Sequence, residues 1–117
     1  MPRFHHVNLG VPPDVVDAEE DFLTNVLGYQ RLAAPAEMQK FSPKWFEAED
    51  GTQVHLSVDP DHRAAARAHT AIELAGQSAE VERRLGESGI HFETFGDGDG
   101  RTLFCADPAG NRWELRA

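Results

Sequence analysis

The stretch that decides the fold is GNRWELR, residues 110–116, because a matching phrase, GTQVHLS, occurs at residues 51–57. Each phrase opens with glycine, continues with polar residues, and then places one ionisable residue between two hydrophobic ones. Side chains on a β-strand alternate between two faces, so Glu114 points away from the face that its hydrophobic neighbours share. In the earlier phrase His55 takes the position of Glu114. The two phrases therefore predict equivalent strands in a repeated fold.

The segments around the two phrases follow the same order. Hydrophobic periodicity predicts a strand, an amphipathic helix and then three strands in each half. The predicted first-half segments are a strand at 3–11, a helix at 14–27, and strands at 29–33, 44–49 and 52–58. Those of the second half are a strand at 68–74, a helix between Ser78 and Gly89, and strands at 90–95, 101–106 and 111–116. Asp14 and Ser78 are the predicted N-caps of the helices.

The length and composition predict a single globular domain. The chain has 117 residues, of which 40% are hydrophobic and 26% are charged. We expect one domain over 1–117, with module one at about 1–58, a connector at about 59–67 and module two at about 68–117.

The charge and cysteine content narrow the class of partner. The formal net charge is −9 and no basic cluster is present, which disfavours nucleic acid and anionic membranes as partners and favours a small molecule or another protein. No apolar run has the length of a membrane span or a signal-peptide core, so we expect a cytoplasmic protein. The single cysteine, Cys105, cannot form an intrachain disulfide and is predicted to be a buried thiol.

Four ionisable residues occupy matching positions of the two halves. His6 and His69 lie in the first strands, and His55 and Glu114 lie in the last strands. Each has the strand parity opposite to its hydrophobic neighbours, so all four are predicted to point away from the helices into a concave face. Imidazole and carboxylate groups suit zinc, iron, manganese, cobalt and nickel ions. A solvated or hydrogen-bonded role is the alternative for each residue taken singly, and the joint pattern favours a metal site.

The alternation of strand side chains also indicates which other polar residues lie on the concave face. His5 and His6 are adjacent and should face opposite sides, so only His6 is expected in the concave face. His62 and His91 have no counterpart in the other half and are predicted to be surface residues. Asn8, Gln53 and Arg112 share the parity of the candidate ligands and could bind substrate, Arg112 as an anchor for a carboxylate or phosphate. An exposed strand arginine is the alternative.

The residues HHVNLGV (5–11), FLTNVLGY (22–29), AHTAIEL (68–74) and DPAGNRWEL (107–115) together resemble the vicinal oxygen chelate superfamily. This superfamily includes glyoxalase I, methylmalonyl-CoA epimerase, extradiol dioxygenases, fosfomycin-resistance thiol transferases and bleomycin-binding proteins. The resemblance implies an α+β fold of two βαβββ modules whose curved mixed sheets form a metal-binding cleft. It also implies a homodimer, and a divalent metal held by the first and last strands, where His6, His55, His69 and Glu114 match.

Three kinds of function stay open, of which one is a scaffold or interaction domain that merely inherits the four candidate residues. The first of the other two is a metal-dependent lyase, isomerase or dioxygenase whose substrate binds the metal through adjacent oxygens, with Glu114 and His55 as catalytic residues. His55 stands where glyoxalase I typically has a glutamate, so it is either a ligand or an acid–base group. The second is a metal-free small-molecule or antibiotic binder of the bleomycin-resistance type, whose ligand stacks on Trp45 or Phe46.

Overall fold

The computed structural model describes residues 1–117 and divides the chain into two compact units, Met1–His62 and Arg63–Ala117. The first unit contains β1 (His6–Val11), α1 (Val16–Asp21), β2 (Gln30–Leu32), β3 (Lys44–Glu47) and β4 (Gln53–Val58). The second contains β5 (His69–Glu73), α2 (Ser78–Glu87), β6 (Phe92–Phe95), β7 (Thr102–Ala106) and β8 (Arg112–Arg116). None of the helices has the length and apolar character that crossing a membrane requires.

Each unit builds one four-stranded mixed sheet. The strand orders are β1-β4-β3-β2 and β5-β8-β7-β6. In each sheet the first strand pairs in parallel with the last, and the other pairings are antiparallel. The prediction of an α+β fold with two βαβββ modules is confirmed. The grouping of both modules into one domain stays a prediction.

The buried side chains follow the predicted alternation. In β8 the hydrophobic residues on either side of Glu114 are fully buried, and in β4 those on either side of His55 are buried as well. Cys105 is buried, as expected. The core of the first unit consists of Val11, Phe22, Leu23, Val26, Phe46, Val54 and Leu56. That of the second consists of Leu74, Val81, Leu85, Leu103, Cys105, Trp113 and Leu115.

A buried carboxylate organises the turn before β8. Asp107 is 5% exposed, and its Oδ2 accepts a hydrogen bond from the indole N–H of Trp113 at 2.9 Å. Its Oδ1 accepts backbone N–H groups of Ala109 at 3.0 Å and Asn111 at 2.9 Å, while Gly110 adopts a positive φ of 85°. Glycine takes this conformation without steric cost. The motif DPAGN therefore holds the turn and the core tryptophan through one side chain.

The predicted capping of both helices is wrong. Asp14 lies inside a 3₁₀ turn, Pro13–Val15, with Pro12 at the cap position, and its side chain makes no capping hydrogen bond. Ser78 is already the first residue of α2, with Gln77 before it and no side-chain cap. A residue within the helix cannot use its side chain as an N-cap does, because capping requires non-helical backbone at that position. The first predicted helix is also subdivided, since α1 continues into a π-helical turn at Phe22–Val26.

His62 is not the plain surface residue that was predicted. It is half-buried, and its ring lies over Gly10 of β1, where an added Cβ would come 2.5 Å from Nδ1. Its Nε2 is buried without a hydrogen-bond partner. The prediction missed this contact because the connector folds back onto the strand. His91 is exposed, as predicted.

We expect Gly10→Ala to lower the free energy of unfolding by about 1–3 kcal/mol, because the new methyl group overlaps the His62 ring. In a His62→Ala background the same change should be neutral or stabilising, since alanine in a strand costs less backbone entropy than glycine. Denaturant unfolding of the two single variants and the double variant measures this coupling. An equal loss in both backgrounds would contradict the contact.

Candidate metal centre

The candidate residues of the first unit share one face of its sheet. In the parallel pairing of β1 and β4, Asn8 is opposite His55 and His6 is opposite Gln53. Trp45 of β3 is the antiparallel partner of His55. Cross-strand partners point to the same side, so these five side chains lie together.

Three aromatic rings on this face form a stack. The ring centroids of His6 and His55 are 4.0 Å apart with planes at 14°, and those of Trp45 and His55 are 4.5 Å apart at 10°. We call His6, His55 and Trp45 the ring stack. Phe46, the other aromatic residue predicted to stack on a ligand, is 1% exposed and points into the core. That prediction is wrong because Phe46 pairs with Val54, on the buried face.

The ring stack keeps His55 uncharged. Burial first, and then the nearby His6 and His5, lower the pKa of His55 from 6.5 to about 4. Its Nε2 lies 2.8 Å from Oε1 of Gln53, and an amide oxygen only accepts, so Nε2 carries the proton. The lone pair of neutral His55 is therefore on Nδ1. Gln53, predicted to bind substrate, is the hydrogen-bond partner of His55.

His5 joins this face, contrary to the prediction that only His6 would. The Nδ1 atoms of His5 and His6 are 2.9 Å apart, and their rings meet edge to face at 5.1 Å. Strand alternation did not exclude His5 because β1 begins at His6, so the preceding side chain is exposed and not confined to one face. Asn8, nearby, accepts a hydrogen bond from the Ser57 hydroxyl at 2.9 Å.

In the second unit a histidine and a carboxylate face each other. The parallel pairing of β5 and β8 places Ala71 opposite Glu114 and His69 opposite Arg112. Nε2 of His69 lies 3.4 Å from Oε1 of Glu114, whose side chain is 16% exposed. The other carboxylate oxygen accepts a hydrogen bond from Arg116 at 2.7 Å.

The hydrogen bond of the other nitrogen, Nδ1 of His69, determines whether Nε2 can present a lone pair to Glu114. Nδ1 lies 2.9 Å from the backbone carbonyl of Arg67, which can only accept, so Nδ1 carries a proton. In the neutral ring Nε2 then presents a lone pair to a carboxylate oxygen, and two lone pairs repel. A cation between the two atoms, either a proton or a metal ion, removes this repulsion. A ring N–H held by a backbone carbonyl is also the usual arrangement of a histidine that binds metal.

The second unit also has a cavity of about 450 Å³, whose lining does not include His69 or Glu114. Phe104, which lines it, is the cross-strand partner of Glu114 and stands edge-on to the His69 ring at 6.1 Å. Arg112 lines it too and, unlike Arg116, is not held by Glu114. The lining also includes His91 and Glu93, which the comparison of the two halves of the sequence did not identify. Their positions depend on strand pairing at the sheet edge, for which the sequence carried no signal.

Known proteins resemble this chain in three-dimensional structure. No family model and no curated protein sequence matches the chain. A protein from Bacillus anthracis assigned to the glyoxalase family superposes with a TM-score of 0.80 at 23% identity, covering 98% of this chain and 93% of that one. A glyoxalase/dioxygenase from Nostoc punctiforme gives 0.81 at 23% identity, with coverages of 97% and 89%.

A third similar structure contains a metal. It is a variant of the fosfomycin resistance protein FosX from Listeria monocytogenes in complex with Mn(II) and 1S,2S-dihydroxypropylphosphonic acid. Its TM-score is 0.76 at 17% identity, with coverages of 100% and 90%. The chain therefore has the fold of the vicinal oxygen chelate superfamily, as its sequence resemblance indicated. Its structural neighbours within that superfamily are glyoxalase/dioxygenase proteins and FosX.

The FosX variant holds a divalent metal, and the two candidate pairs of this chain would fit such an ion differently. Neither unit contains a group of three or more His, Cys, Asp or Glu side chains placed to hold a metal. His69 and Glu114 fit as a partial site, because their facing atoms are separated by a distance that a bridging ion can span. His6 and His55 do not converge as they stand, since lone pairs lie in the ring planes and these planes are nearly parallel. One of the two rings must rotate before both can bind the same ion.

In metal-free protein we expect His55 to titrate with a pKa of about 4, well below its usual value of 6.5. His6→Ala should raise this pKa, because it removes a nearby positive charge and uncovers the ring. Because the folded state resists protonation, the free energy of unfolding should be constant above about pH 6.5 and fall as the pH drops toward 4. NMR titration of the imidazole protons measures the pKa, with His91→Ala as control. A pKa near 6.5 would contradict a neutral His55 in the ring stack.

Proposed function

We propose that this protein is a divalent-metal-dependent enzyme of the glyoxalase/dioxygenase type, acting on a small substrate that chelates the metal through adjacent oxygens. The observation that carries the proposal is the His69–Glu114 pair, in which an imidazole nitrogen and a carboxylate oxygen face each other at 3.4 Å while the other imidazole nitrogen is held by a backbone carbonyl. The Mn(II) complex of a FosX protein with the same fold supports a divalent ion.

The proposed ligands are His6, His69 and Glu114, with His55 as a fourth ligand or an acid–base group. When bound, the metal acts as a Lewis acid and stabilises negative charge that develops on substrate oxygen. Arg116 holds one oxygen of Glu114 and so orients the carboxylate. His55 is neutral and offers the lone pair of Nδ1, because Gln53 occupies its Nε2. That atom is available either to a metal or to a substrate proton.

The proposed substrate contacts are Asn8, Gln53 and Arg112. Arg112, the strand partner of His69, lines the cavity, where a guanidinium group can bind a carboxylate or a phosphorus oxyanion through two hydrogen bonds. Phe104 supplies an apolar wall of the same cavity. These groups favour a small substrate with one anionic end and two metal-chelating oxygens. The proposed reaction is of the lyase, isomerase or dioxygenase type, and we further propose a cytoplasmic homodimer.

A metal-free binding protein of the bleomycin-resistance type is the second candidate. The cavity of about 450 Å³ supports it, because that volume is sufficient for a small organic ligand without any ion. Trp45 also belongs to an aromatic surface, although His55 covers one side of its ring. This candidate predicts ligand binding that chelators do not affect.

Metal content separates the two candidates. Protein purified without a polyhistidine tag should contain about one divalent ion per site after anaerobic reconstitution. Glu114→Gln and His69→Ala should each weaken metal affinity by at least the roughly 10–100-fold that loss of an outer partner costs, because each removes a donor atom. Elemental analysis and calorimetric titration with Mn²⁺ and Zn²⁺ measure this.

Glu49→Gln is the matched control for these variants. Glu49 is an exposed carboxylate of the first unit that lies outside the β-strands, so its loss should leave metal affinity unchanged. Wild-type protein that binds neither ion would overturn the enzyme proposal and favour the metal-free binder.

A further inference from the structure

His6 and His69 occupy equivalent positions in the two units, and in each ring Nδ1 contacts a residue that precedes the strand. His6 is the first residue of β1, and His69 is the first residue of β5. Nδ1 of His69 lies 2.9 Å from the carbonyl of Arg67, and Nδ1 of His6 lies 2.9 Å from Nδ1 of His5. In module one a side chain thus occupies the place that a backbone carbonyl occupies in module two.

The hydrogen bond at Nδ1 determines which nitrogen of each ring has a free lone pair. A neutral imidazole carries one proton, and the hydrogen bond at one nitrogen determines whether the other is bare. The Arg67 carbonyl holds the proton of His69 on Nδ1, so Nε2 is bare whenever the His69 ring is neutral. Between His5 and His6 one Nδ1 must donate and the other must accept, so the proton of His6 is on Nδ1 in one arrangement and on Nε2 in the other.

We propose that His5 is a positioning residue for His6: its Nδ1 accepts a hydrogen bond from Nδ1–H of His6, which leaves Nε2 of His6 bare and able to bind a divalent cation. The equivalence with His69 selects this direction. It gives both first-strand histidines the same tautomer and presents the same nitrogen from each. The part of the inference that concerns metal affinity rests on the proposed function, whereas the tautomer is a property of the metal-free protein.

His5 does not bind the cation in this arrangement. Its Nδ1 is occupied by His6, and the two rings meet edge to face at 83°, so His5 acts on the ring of His6. The ring stack holds the other side of His6, where the His55 ring lies parallel to it. His6 is therefore restrained in orientation by His55 and in tautomer by His5.

The tautomer is measured by two-bond ¹H–¹⁵N correlation spectra of metal-free protein at about pH 8, above the usual histidine pKa. In wild type we expect His6 to be protonated on Nδ1 and bare on Nε2. His5→Ala should convert this into a mixture of both tautomers, and His5→Asn should restore it, because the asparagine Oδ1 accepts a hydrogen bond where the imidazole nitrogen did. Phe4→Ala, a change at the neighbouring and 93% exposed residue, should have no effect.

Calorimetric titration with Zn²⁺ gives the second readout. His5→Ala should weaken binding by about 10–100-fold, as loss of an outer hydrogen-bond partner does, and His5→Asn should recover most of the loss. A bare Nδ1 on His6 in wild type, or an unchanged tautomer in His5→Ala, would overturn the inference. Equal Zn²⁺ affinities of wild type and His5→Ala would overturn its metal part while leaving the proposed function intact. Failure of wild type to bind Zn²⁺ or Mn²⁺, with the tautomer as expected, would instead refute the proposed function.

Discussion

The parallel pairing between the first and last strand of each unit is the constraint on which the candidate centre depends. It brings together residues about 45 positions apart in the chain and sets them on one face, since partners across a sheet point to the same side. Because side chains alternate with a period of two, a slip of one residue would replace Glu114 by Trp113 on the open face and place the carboxylate in the core. The buried hydrophobic residues of β8 and the Asp107–Trp113 hydrogen bond both resist such a slip.

The two units use the same strand positions for different local chemistry. In the first, His6 and Trp45 stack on the two sides of His55, and burial and the neighbouring imidazoles lower the pKa of His55, so that its ring is neutral. In the second, His69 faces the carboxylate of Glu114, whose other oxygen is held by Arg116. The first unit therefore offers the neutral Nδ1 of His55, and the second offers the carboxylate of Glu114, and both are donor types that divalent ions bind.

The fold alone leaves the substrate open, because glyoxalase/dioxygenase proteins and FosX share it and carry different functional names. Evidence on the substrate must therefore come from the side chains around the candidate centre. Arg112, Phe104 and His91 line a cavity in the second unit, and Arg112 and Phe104 are strand partners of His69 and Glu114, so a positive charge and an apolar ring lie close to this pair. Gln53 and the Arg67 carbonyl restrict the imidazoles they contact to one tautomer each, and the protein thus sets its donor atoms before any ligand arrives.

The sequence by itself determined the order of elements, the two modules, the face on which His6, His55, His69 and Glu114 lie, and the burial of Cys105. These follow from hydrophobic periodicity, which extends over a few neighbouring residues and can be recognised from the order of residues alone. Only the tertiary structure decided which polar groups contact each other: His5 with His6, Gln53 with His55, and His62 with Gly10. It also decided that neither Asp14 nor Ser78 caps a helix. Such contacts depend on where strands begin, on rotamers and on loops that fold back, and none of these leaves a periodic signal in the chain.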